Sequence, residues 1–299
     1  MPELPEVETI KSQLTPDVLG KTISDVEILS PKNFVGNKSK VLNHKIISVD
    51  RYGKVLVFGL SPKPYSLTPS PFLNIHFKLS GQILFSKNVN KAIFKNIIPF
   101  TGGNKMPANT TRVIIKFKDG SGIFFNDLRK FGWIKISDQP LKPKGIDVLD
   151  KRFTLQFFNS LVRRSLGEGG LTRKTRKPIK VLLMDQDLIT GIGNIYANDS
   201  LFLAKVHPQR LSNSLTVKEV ALLYKTIKKV INEGIRDLGS SGADEAFILP
   251  DGSKGRHQRN FLVYQREGEP CLVCKTIIKR VKHNGRSSFF CHNCQKLFI

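Results

Sequence analysis

The residues of this chain that could do chemistry gather at its two ends, and the first group forms its opening turn. The sequence begins MPELPEVETI, so that Pro2 and Glu3 follow the initiator methionine and Glu6 comes three residues later. Proline and acidic residues in a first turn are typical of a helix start. The same residues also suit a chain whose amino terminus is itself the reactive group. Both interpretations stay open on the residues alone, and Glu8 is expected on a solvated helix face.

Four cysteines form the second group. They stand in two C-x2-C pairs separated by sixteen residues, at Cys271, Cys274, Cys291 and Cys294. This spacing is typical of a zinc site in which four thiolates surround one tetrahedral ion. Two disulfides are the alternative, but the reducing compartment expected for a chain without a secretory signal disfavours them. Because four thiolates complete the coordination shell, the zinc is predicted to be structural rather than catalytic.

The charge of the chain indicates the class of its partner. It has 48 Lys and Arg against 24 Asp and Glu, a formal net charge of +24 at pH 7. A field of this sign attracts polyanions, above all nucleic acid, and an enzyme acting on small neutral molecules has no need of it. No apolar run approaches the ~18 residues of a membrane span, so no membrane partner is expected. The composition therefore predicts a cytoplasmic protein that binds nucleic acid.

Hydrophobic patterning predicts the elements that must position these residues. Apolar side chains at near-helical spacing predict a helix over residues 4–19. Alternating patterns predict strands from about 21 to 136, and a Pro/Gly/Lys-rich linker separates them from a helical region. Between the cysteine pairs, Asn-Gly at 284–285 is a hairpin signal, with Arg286 just beyond it. The order is a helix, a β domain, a helical domain and a zinc hairpin, which is an α+β multidomain chain.

A glycine pair in the helical region offers a further candidate site. Gly191 and Gly193 precede Asn194, which is expected to open a helix. One interpretation is a tight turn between helices. The other is an anion site, because the free N–H groups at a helix start attract phosphate. No strand leads into the pair and a third glycine is missing, so it is not a dinucleotide-binding fingerprint.

Three motifs in this order resemble the formamidopyrimidine-DNA glycosylases: MPELPEVET, GIGNIYA and the paired cysteines. The resemblance covers nearly the whole chain. It implies an N-terminal β-sandwich with a leading helix, a helix-two-turn-helix domain and a C-terminal zinc-finger β-hairpin. The implied boundaries are 1–137 for the catalytic β-sandwich, 138–150 for a linker, 151–255 for the helix-two-turn-helix domain with a lesion-capping loop, and 262–299 for the four-cysteine zinc finger.

The resemblance also implies a function. Members of this family are bifunctional DNA glycosylase/AP lyases of base excision repair. They remove oxidised purines, chiefly 8-oxoguanine and formamidopyrimidines, from double-stranded DNA and then cleave the strand at the abasic site. One structural Zn²⁺, a monomeric state and a nucleoid-associated cytoplasmic location are expected with it.

The opening residues acquire roles from the resemblance. It implies that Met1 is removed and that the secondary amine of Pro2 becomes the nucleophile. An α-amino group titrates near pH ~8, so a useful fraction of it is neutral in the cell, and a secondary amine forms an iminium that acts as an electron sink. Glu3 is the implied general acid/base. Lys54 is expected to contact the damaged nucleotide and its phosphate, and Glu6 to lie in the lesion pocket.

Other matched residues are expected to hold the DNA. The family flips the damaged base out of the stack and fills the gap with side chains. Arg129 would pair with the orphaned cytosine, while Phe131 and Leu79 would fill the gap beside it. The remaining matches contact the DNA backbone. The full set of matched DNA contacts is His76, Leu79, Arg129, Phe131, Asn194 and Arg286.

The chain departs from the family pattern at four places, one of which is Asp199 in the helix after Asn194, where glutamate is usual. Leu79 stands where methionine is usual, although the two side chains are apolar and similar in volume. Lys78 stands where glycine is usual. The stretch GRHQRNF at 255–261 replaces a Gly-Tyr-Phe-like stretch in the lesion-capping loop. These departures bear on lesion preference more than on the chemistry.

Two other functions compete with this one. An endonuclease VIII-like glycosylase would use the same residues on oxidised pyrimidines, but that branch usually has glycine where this chain has Leu4. A non-catalytic, zinc-containing DNA-binding protein would explain the charge and the cysteines equally well. It has no need of Pro2 and Glu3, so the amino terminus distinguishes the two classes.

Overall fold

The structure is a computed structural model that describes four stretches of the chain, and all structural statements concern these. The described residues are 1–62, 70–163, 177–242 and 246–297. They contain both helices and sheets, so the predicted α+β class is confirmed. Within these stretches, no helix combines the length and apolar character required to cross a bilayer.

The chain divides into two compact units, and each consists of two separate stretches of sequence. The first unit is Met1–Lys142 with Gly234–Gln258, and the second is Pro143–Glu233 with Arg259–Ile299. This division differs from the predicted domains, because its first boundary falls inside the predicted 138–150 linker, the zinc finger shares a unit with the helical region, and the 234–258 segment is assigned differently. Residues 234–258 pack with the first unit, whereas the prediction assigned the chain up to 255 to the helical domain.

Helix α1 (Leu4–Val18) opens the first unit, as the apolar spacing predicts. Its buried side chains include Leu4, Val7 and Ile10, which recur at intervals of three residues and form the face that enters the core. The helix stops before Gly20, whose φ of +82° lies in the left-handed region that glycine tolerates best.

Eleven strands follow in the described part of the first unit. They are β1 (Ile23–Ile28), β2 (Phe34–Val35), β3 (Ile46–Tyr52), β4 (Val55–Leu60), β5 (Phe72–His76), β6 (Gly81–Ser86), β7 (Ala92–Ile98), β8 (Gly103–Met106), β9 (Thr111–Phe117), β10 (Gly122–Asp127) and β11 (Trp133–Ser137). One sheet has the order β1-β9-β10-β6, a second has β2-β11-β5-β4-β3, and β7 and β8 form a separate hairpin. A single hydrophobic core contains side chains of α1 and of both larger sheets, so the unit is a β-sandwich with a leading helix.

The segment from 234 to 258 belongs to this sandwich because its side chains complete the sandwich cores. Phe247 and Leu249 are buried in the main core. Ile248, which lies between them, joins a second core that contains Phe94 and Ile98 of β7. Burial of three consecutive apolar residues in two cores places the segment with the strands rather than with the helical region.

The second unit is mainly helical and ends in a hairpin. Its elements are β12 (Ile146–Asp147), α2 (Leu155–Arg163), α3 (Ile179–Leu183), β13 (Ile189–Thr190), α4 (Asn194–Leu203), α5 (Val217–Arg236), which leads back to the first unit, β14 (Lys279–His283) and β15 (Arg286–Phe290). Strands β14 and β15 pair antiparallel around Asn284 and Gly285, both of which have positive φ. This is the backbone geometry that an Asn-Gly hairpin turn requires.

Candidate functional site

The amino-terminal residues are buried at the start of α1. Pro2 is buried and Glu3 is only 2% exposed. Glu3 is the N-cap of α1, and its backbone N–H donates to the Glu6 carboxylate at 2.8 Å. The opening residues therefore do begin a helix. The helix start also holds Pro2 and Glu3 side by side in a protected position.

Glu6 ties two distant parts of the first unit together. One of its carboxylate oxygens accepts from the N–H of Glu3, and the other accepts from the N–H of Ser240 at 2.9 Å. Gly239 has a φ of +74°, and a Cβ there would lie 3.0 Å from the Glu6 Cγ. The Glu6 side chain thus fixes the backbone on both sides of it, and its contact with a lesion stays a prediction.

Lys54 lies in the two-residue turn between β3 and β4. Tyr52 pairs with Val55 across this turn, and Lys54 is buried. Arg51 donates to the Gly53 carbonyl at 2.8 Å and to Glu8 of α1 at 2.7 Å. The pair formed by Arg51 and Glu8 therefore anchors the lysine turn to the helix that carries the amino terminus.

The sequence position of Glu8 suggests a solvated residue. In the structure, Glu8 is instead a partly buried anchor. Burial by itself would raise the pKa of the Glu8 carboxyl, but hydrogen bonds from Lys11 and Arg51 outweigh it and lower the pKa below its usual value. The carboxylate stays ionised, so the anchor persists at neutral pH.

His76 is the last residue of β5, the central strand of the five-stranded sheet. It pairs with Val55 on one side and with Trp133 on the other. Its Nδ1 accepts from the Lys78 N–H at 2.9 Å. Burial chiefly, and then the positive charges of Lys78 and Lys54, lower the pKa of His76 to about 3. The imidazole is therefore neutral at physiological pH, and its proton is on Nε2, where it can be donated to an acceptor such as a phosphate oxygen.

Leu79, Arg129 and Phe131 lie in two turns that connect the sheets. Leu79 and Phe131 are 38% and 51% exposed, so both large apolar side chains are available to contact a partner. The fully buried Asp127 holds both turns, since its carboxylate accepts from Ser80 Oγ at 2.5 Å and from the backbone N–H of Arg129 and Gly132. The structure thus brings the three predicted gap-filling residues to one end of the sandwich.

Two residues that the sequence did not single out support this cluster. The Lys32 ammonium lies 5.9 Å from the Phe131 ring centre and the Arg129 guanidinium 5.4 Å from it, so two cations flank one aromatic ring. The buried Asn33 donates to the Gly132 carbonyl at 2.7 Å. No sequence signal distinguishes Lys32 from the many other lysines, because its relation to Phe131 depends on tertiary contact.

Asn194 is the first residue of α4 and follows Gly193, the N-cap. The Asn198 amide donates to the Asn194 carbonyl at 2.6 Å, and its oxygen accepts from the Phe289 N–H at 2.9 Å. Asn198 therefore fastens the start of α4 to β15. The glycine pair forms a turn before α4, in which the Gln186 side chain accepts from the Gly191 N–H at 3.1 Å.

Arg286 is the first residue of β15 and is exposed. It lines a cavity of about 240 Å³ together with Lys180 and Asn284. Lys180 is only 3% exposed, and its ammonium donates to the Ser287 carbonyl at 2.6 Å. The buried lysine positions the hairpin backbone beside Arg286, a role that the sequence pattern around Lys180 does not reveal.

The four cysteines are brought together as the spacing predicts. Their ligand atoms all lie within 4.8 Å of one another. Neighbouring sulphurs are 3.4 to 3.9 Å apart, far beyond a disulfide bond of ~2.05 Å and close to the ~3.8 Å that tetrahedral Zn–S bonds of ~2.3 Å require. Four thiolates at this spacing satisfy a tetrahedral ion, so the residues fit one structural zinc.

Three family models match the chain in the order of its parts. The formamidopyrimidine-DNA glycosylase N-terminal domain matches residues 1–134, the H2TH domain of the same glycosylases matches 145–245, and the zinc finger found in FPG and IleRS matches 268–297. These matches confirm the resemblance that the sequence motifs indicated, and the zinc-finger match supports the metal site.

Known proteins resemble the chain over its whole length. It is 35% identical to the formamidopyrimidine-DNA glycosylase of Pelotomaculum thermopropionicum and 32% identical to that of Listeria innocua, each over 99% of this chain and 100% of the relative. The crystal structure of the MutM (FPG) protein from Thermus thermophilus aligns with a TM-score of 0.80 at 30% identity, covering 100% of both chains. A Lactococcus lactis FPG variant in complex with Fapy-dG-containing DNA aligns with a TM-score of 0.79 at 25% identity, over 99% of this chain and 100% of that one. The chain belongs to the formamidopyrimidine-DNA glycosylase family.

Proposed function

We propose that this protein is a bifunctional DNA glycosylase and AP lyase that removes oxidised purines from double-stranded DNA, with Pro2 as its nucleophile. The observation that carries the proposal is the buried Pro2–Glu3 pair at the start of α1, in a chain whose family is named for excision of formamidopyrimidines. A Pro2–Glu3 pair also suits a helix start, so membership of a glycosylase family is what favours catalysis over DNA binding alone.

The reaction follows from the chemistry of these two residues. After removal of Met1, the Pro2 nitrogen attacks C1′ of the damaged nucleotide, so that an N–C1′ bond forms and the bond to the base breaks, and the proton that the amine loses balances the proton that the departing base gains. Glu3 donates a proton to the sugar ring oxygen as the ring opens. The resulting iminium has no proton on nitrogen to lose. It therefore accepts the electron pair left when the C2′ proton is removed, which expels the 3′ phosphate, and then the pair left when the C4′ proton is removed, which expels the 5′ phosphate.

The remaining matched residues hold the substrate. Lys54 contacts the damaged nucleotide and its phosphate from the turn that Arg51 anchors to α1. Arg129 pairs with the orphaned cytosine, and the exposed side chains of Phe131 and Leu79 fill the gap left by the flipped base.

The DNA backbone is held by neutral and charged donors. His76 donates from Nε2 as a neutral imidazole, a state that its low pKa supports. Asn194 and Arg286 contact the phosphates that flank the lesion, and Asn198 connects the two elements that carry them. With a net charge of +24, the protein is expected to associate with the nucleoid between encounters with lesions.

Oxidised pyrimidines are the second candidate substrates. A structure of wild-type Lactococcus lactis FPG holds DNA that contains an oxidised pyrimidine, and it aligns with this chain at a TM-score of 0.78 and 26% identity over 99% of this chain and 100% of that one. The changed stretch at 255–261 also favours a test of both lesion classes.

Incision assays test the proposed function. End-labelled duplexes carry 8-oxoguanine opposite cytosine, an abasic site, an oxidised pyrimidine or no damage. The protein is expected to cut the first two and to leave phosphate on both sides of the gap, as β,δ-elimination requires. Glu3→Gln is expected to lose base removal. Cutting of the pyrimidine duplex alone would favour the second candidate, and failure on every duplex by a chain that begins at Pro2 would refute catalysis.

A further inference from the structure

An extended segment at the edge of the four-stranded sheet connects the β7–β8 hairpin with the amino terminus. This edge segment (residues 246–253) runs beside β6, and its Pro250 carbonyl accepts from the Phe85 N–H at 2.9 Å. It then turns back on itself, since the Gly252 N–H donates to the Leu249 carbonyl at 2.9 Å. Beside this backbone bond, side-chain packing fixes the segment, since its apolar residues are buried in two cores.

The β7–β8 hairpin supplies the packing around Ile248, while Phe247 and Leu249 pack in the main core of the sandwich. The inner face of the hairpin buries Phe94 and Ile98 in one core with Ile248 of the edge segment. A Cβ on Gly252 would lie 2.8 Å from the Ile98 Cδ1, so the hairpin closes directly on the turn of the segment. The Asn96 amide also donates to the Gly252 carbonyl at 3.4 Å.

The other side of the edge segment reaches Glu6. A Cβ on Gly239 would lie 2.8 Å from the Phe247 ring and 3.0 Å from the Glu6 Cγ. Ser241 Oγ donates to the Phe247 carbonyl at 2.6 Å, which fastens the edge segment to the backbone of residues 239–241. The adjacent amide in that stretch, at Ser240, donates to Glu6, which in turn accepts from the Glu3 N–H.

We propose that the β7–β8 hairpin is a brace that positions the catalytic amino terminus through the edge segment. Contacts run without a break from Phe94 and Ile98 to Ile248, from Phe247 to Gly239, and from Ser240 through Glu6 to Glu3. The proposal rests on the proposed function only in taking Pro2 and Glu3 as catalytic residues. Loss of the brace loosens Ser240, releases one oxygen of Glu6 and widens the range of positions open to Glu3.

The hairpin offers matched test and control sites. Phe94 and Ile98 point into the shared core, whereas Ile97 of the same strand is 74% exposed. Phe94→Ala and Ile98→Val therefore weaken the brace, and Ile97→Val changes the same strand without touching the edge segment. Phe94→Leu restores most of the lost volume and serves as the rescue variant.

Two measurements on the full-length, zinc-loaded protein test the brace. Hydrogen exchange of the backbone amides in 238–242 reports the contact between Ser240 and Glu6 directly. Phe94→Ala is expected to speed this exchange by about tenfold and to lower the single-turnover rate on an 8-oxoguanine duplex by about tenfold. The Kd for a duplex with an uncleavable abasic analogue should stay within about twofold. Ile97→Val should match the wild type, and Phe94→Leu should recover both values.

The outcomes separate the brace from the proposed function. Unchanged exchange at 238–242 in both Phe94→Ala and Ile98→Val would overturn the brace, as would an equal effect of Ile97→Val. If thermal melting shows that Phe94→Ala is globally unfolded, Ile98→Val decides, with an expected increase in exchange of about two- to threefold. If the wild type cuts no duplex, the proposed function fails, and the exchange result still decides whether the hairpin fixes Ser240.

Discussion

At the scale of single residues, His76 shows how the fold sets a protonation state. A solvated imidazole would be partly charged near neutral pH. Burial and two neighbouring lysines lower the pKa of His76 to about 3, so the ring is a neutral hydrogen-bond donor in the folded protein. A neutral donor binds a phosphate oxygen without changing its charge across the physiological pH range.

This protonation state makes stability depend on pH with a definite sign. Below pH ~6.5 the unfolded chain binds a proton at His76 while the fold does not, so stability falls as the pH falls from ~6.5 to about 3. The contribution is at most about 1.4 kcal/mol per pH unit. His76→Gln keeps a neutral donor but cannot titrate, so its free energy of unfolding should fall less steeply over this window.

Urea unfolding at several pH values measures the difference. Trp133→Phe is the control, because it alters the packing beside His76 and keeps the titrating ring. The free energy of unfolding of Trp133→Phe should still fall steeply as the pH falls. Parallel stability curves for the wild type and His76→Gln would contradict the assigned protonation state.

Contacts between residues close together in the sequence near the termini could be predicted. The hydrogen-bonded pairs that support them from distant parts of the chain could not. The four cysteines are a local pattern, and they lie together as predicted. The Glu3–Glu6 contact is also local, and it fits the helix start that was one of the two interpretations of these residues. The bonds from Ser240 to Glu6 and from Arg51 to Glu8 join residues 234 and 43 positions apart. Such pairs depend on the packing of whole elements, which periodicity does not encode.

At the scale of elements, local sequence signals predict an element correctly where its own residues define it. Helix α1 follows its apolar spacing, and the β14–β15 hairpin follows its Asn-Gly turn. The position of the 234–258 segment was not predicted. The resemblance assigned it, up to residue 255, to the helical domain, and only its burial in two cores shows that its apolar residues belong to the sandwich.

The zinc hairpin is an element whose stability should depend on its metal. The hairpin contributes Phe289 to a small core that also contains Phe202 of α4 and the zinc-site residues Cys271 and Cys291, so the metal site is part of the packing that holds the hairpin. Removal of zinc with a chelator is expected to unfold residues 271–294, because such sites couple metal binding to folding. Metal analysis should give one zinc per chain, and hydrogen exchange should rise across the hairpin but not across α1.

Helix α1 is the internal control for this measurement, since it lies in the other unit. Protection of 271–294 that persists in protein shown to be free of metal would mean that the hairpin folds on its side-chain contacts alone. The same result with metal retained would call only for a stronger chelator, so metal content is measured on every sample.

At the scale of the whole molecule, net charge supplies binding strength and a few residues supply placement. A charge of +24 gives attraction to any duplex. Arg286 is exposed at the start of β15, and a single phosphate contact there carries no sequence or lesion information. Arg286→Ala should therefore weaken binding to damaged and undamaged duplexes alike and reduce the salt dependence by about one unit of slope.

Fluorescence anisotropy across a salt series measures both quantities. Phe131→Ala is the matched comparison, because it removes the proposed gap-filling side chain without changing charge. It should reduce binding to the damaged duplex and leave the salt slope unchanged. If Arg286→Ala lowered affinity for the damaged duplex alone, Arg286 would be a lesion contact rather than a phosphate contact.

The central claim is that the amino terminus is the nucleophile, and borohydride trapping tests it most directly. Untagged protein is mixed with a duplex that carries one 8-oxoguanine opposite cytosine, reduced, digested and analysed by mass spectrometry. The account predicts a covalent protein–DNA adduct on Pro2, and none when Met1 is retained. An adduct on a lysine, or no adduct on this duplex or on an abasic one from a chain shown to begin at Pro2, would contradict it.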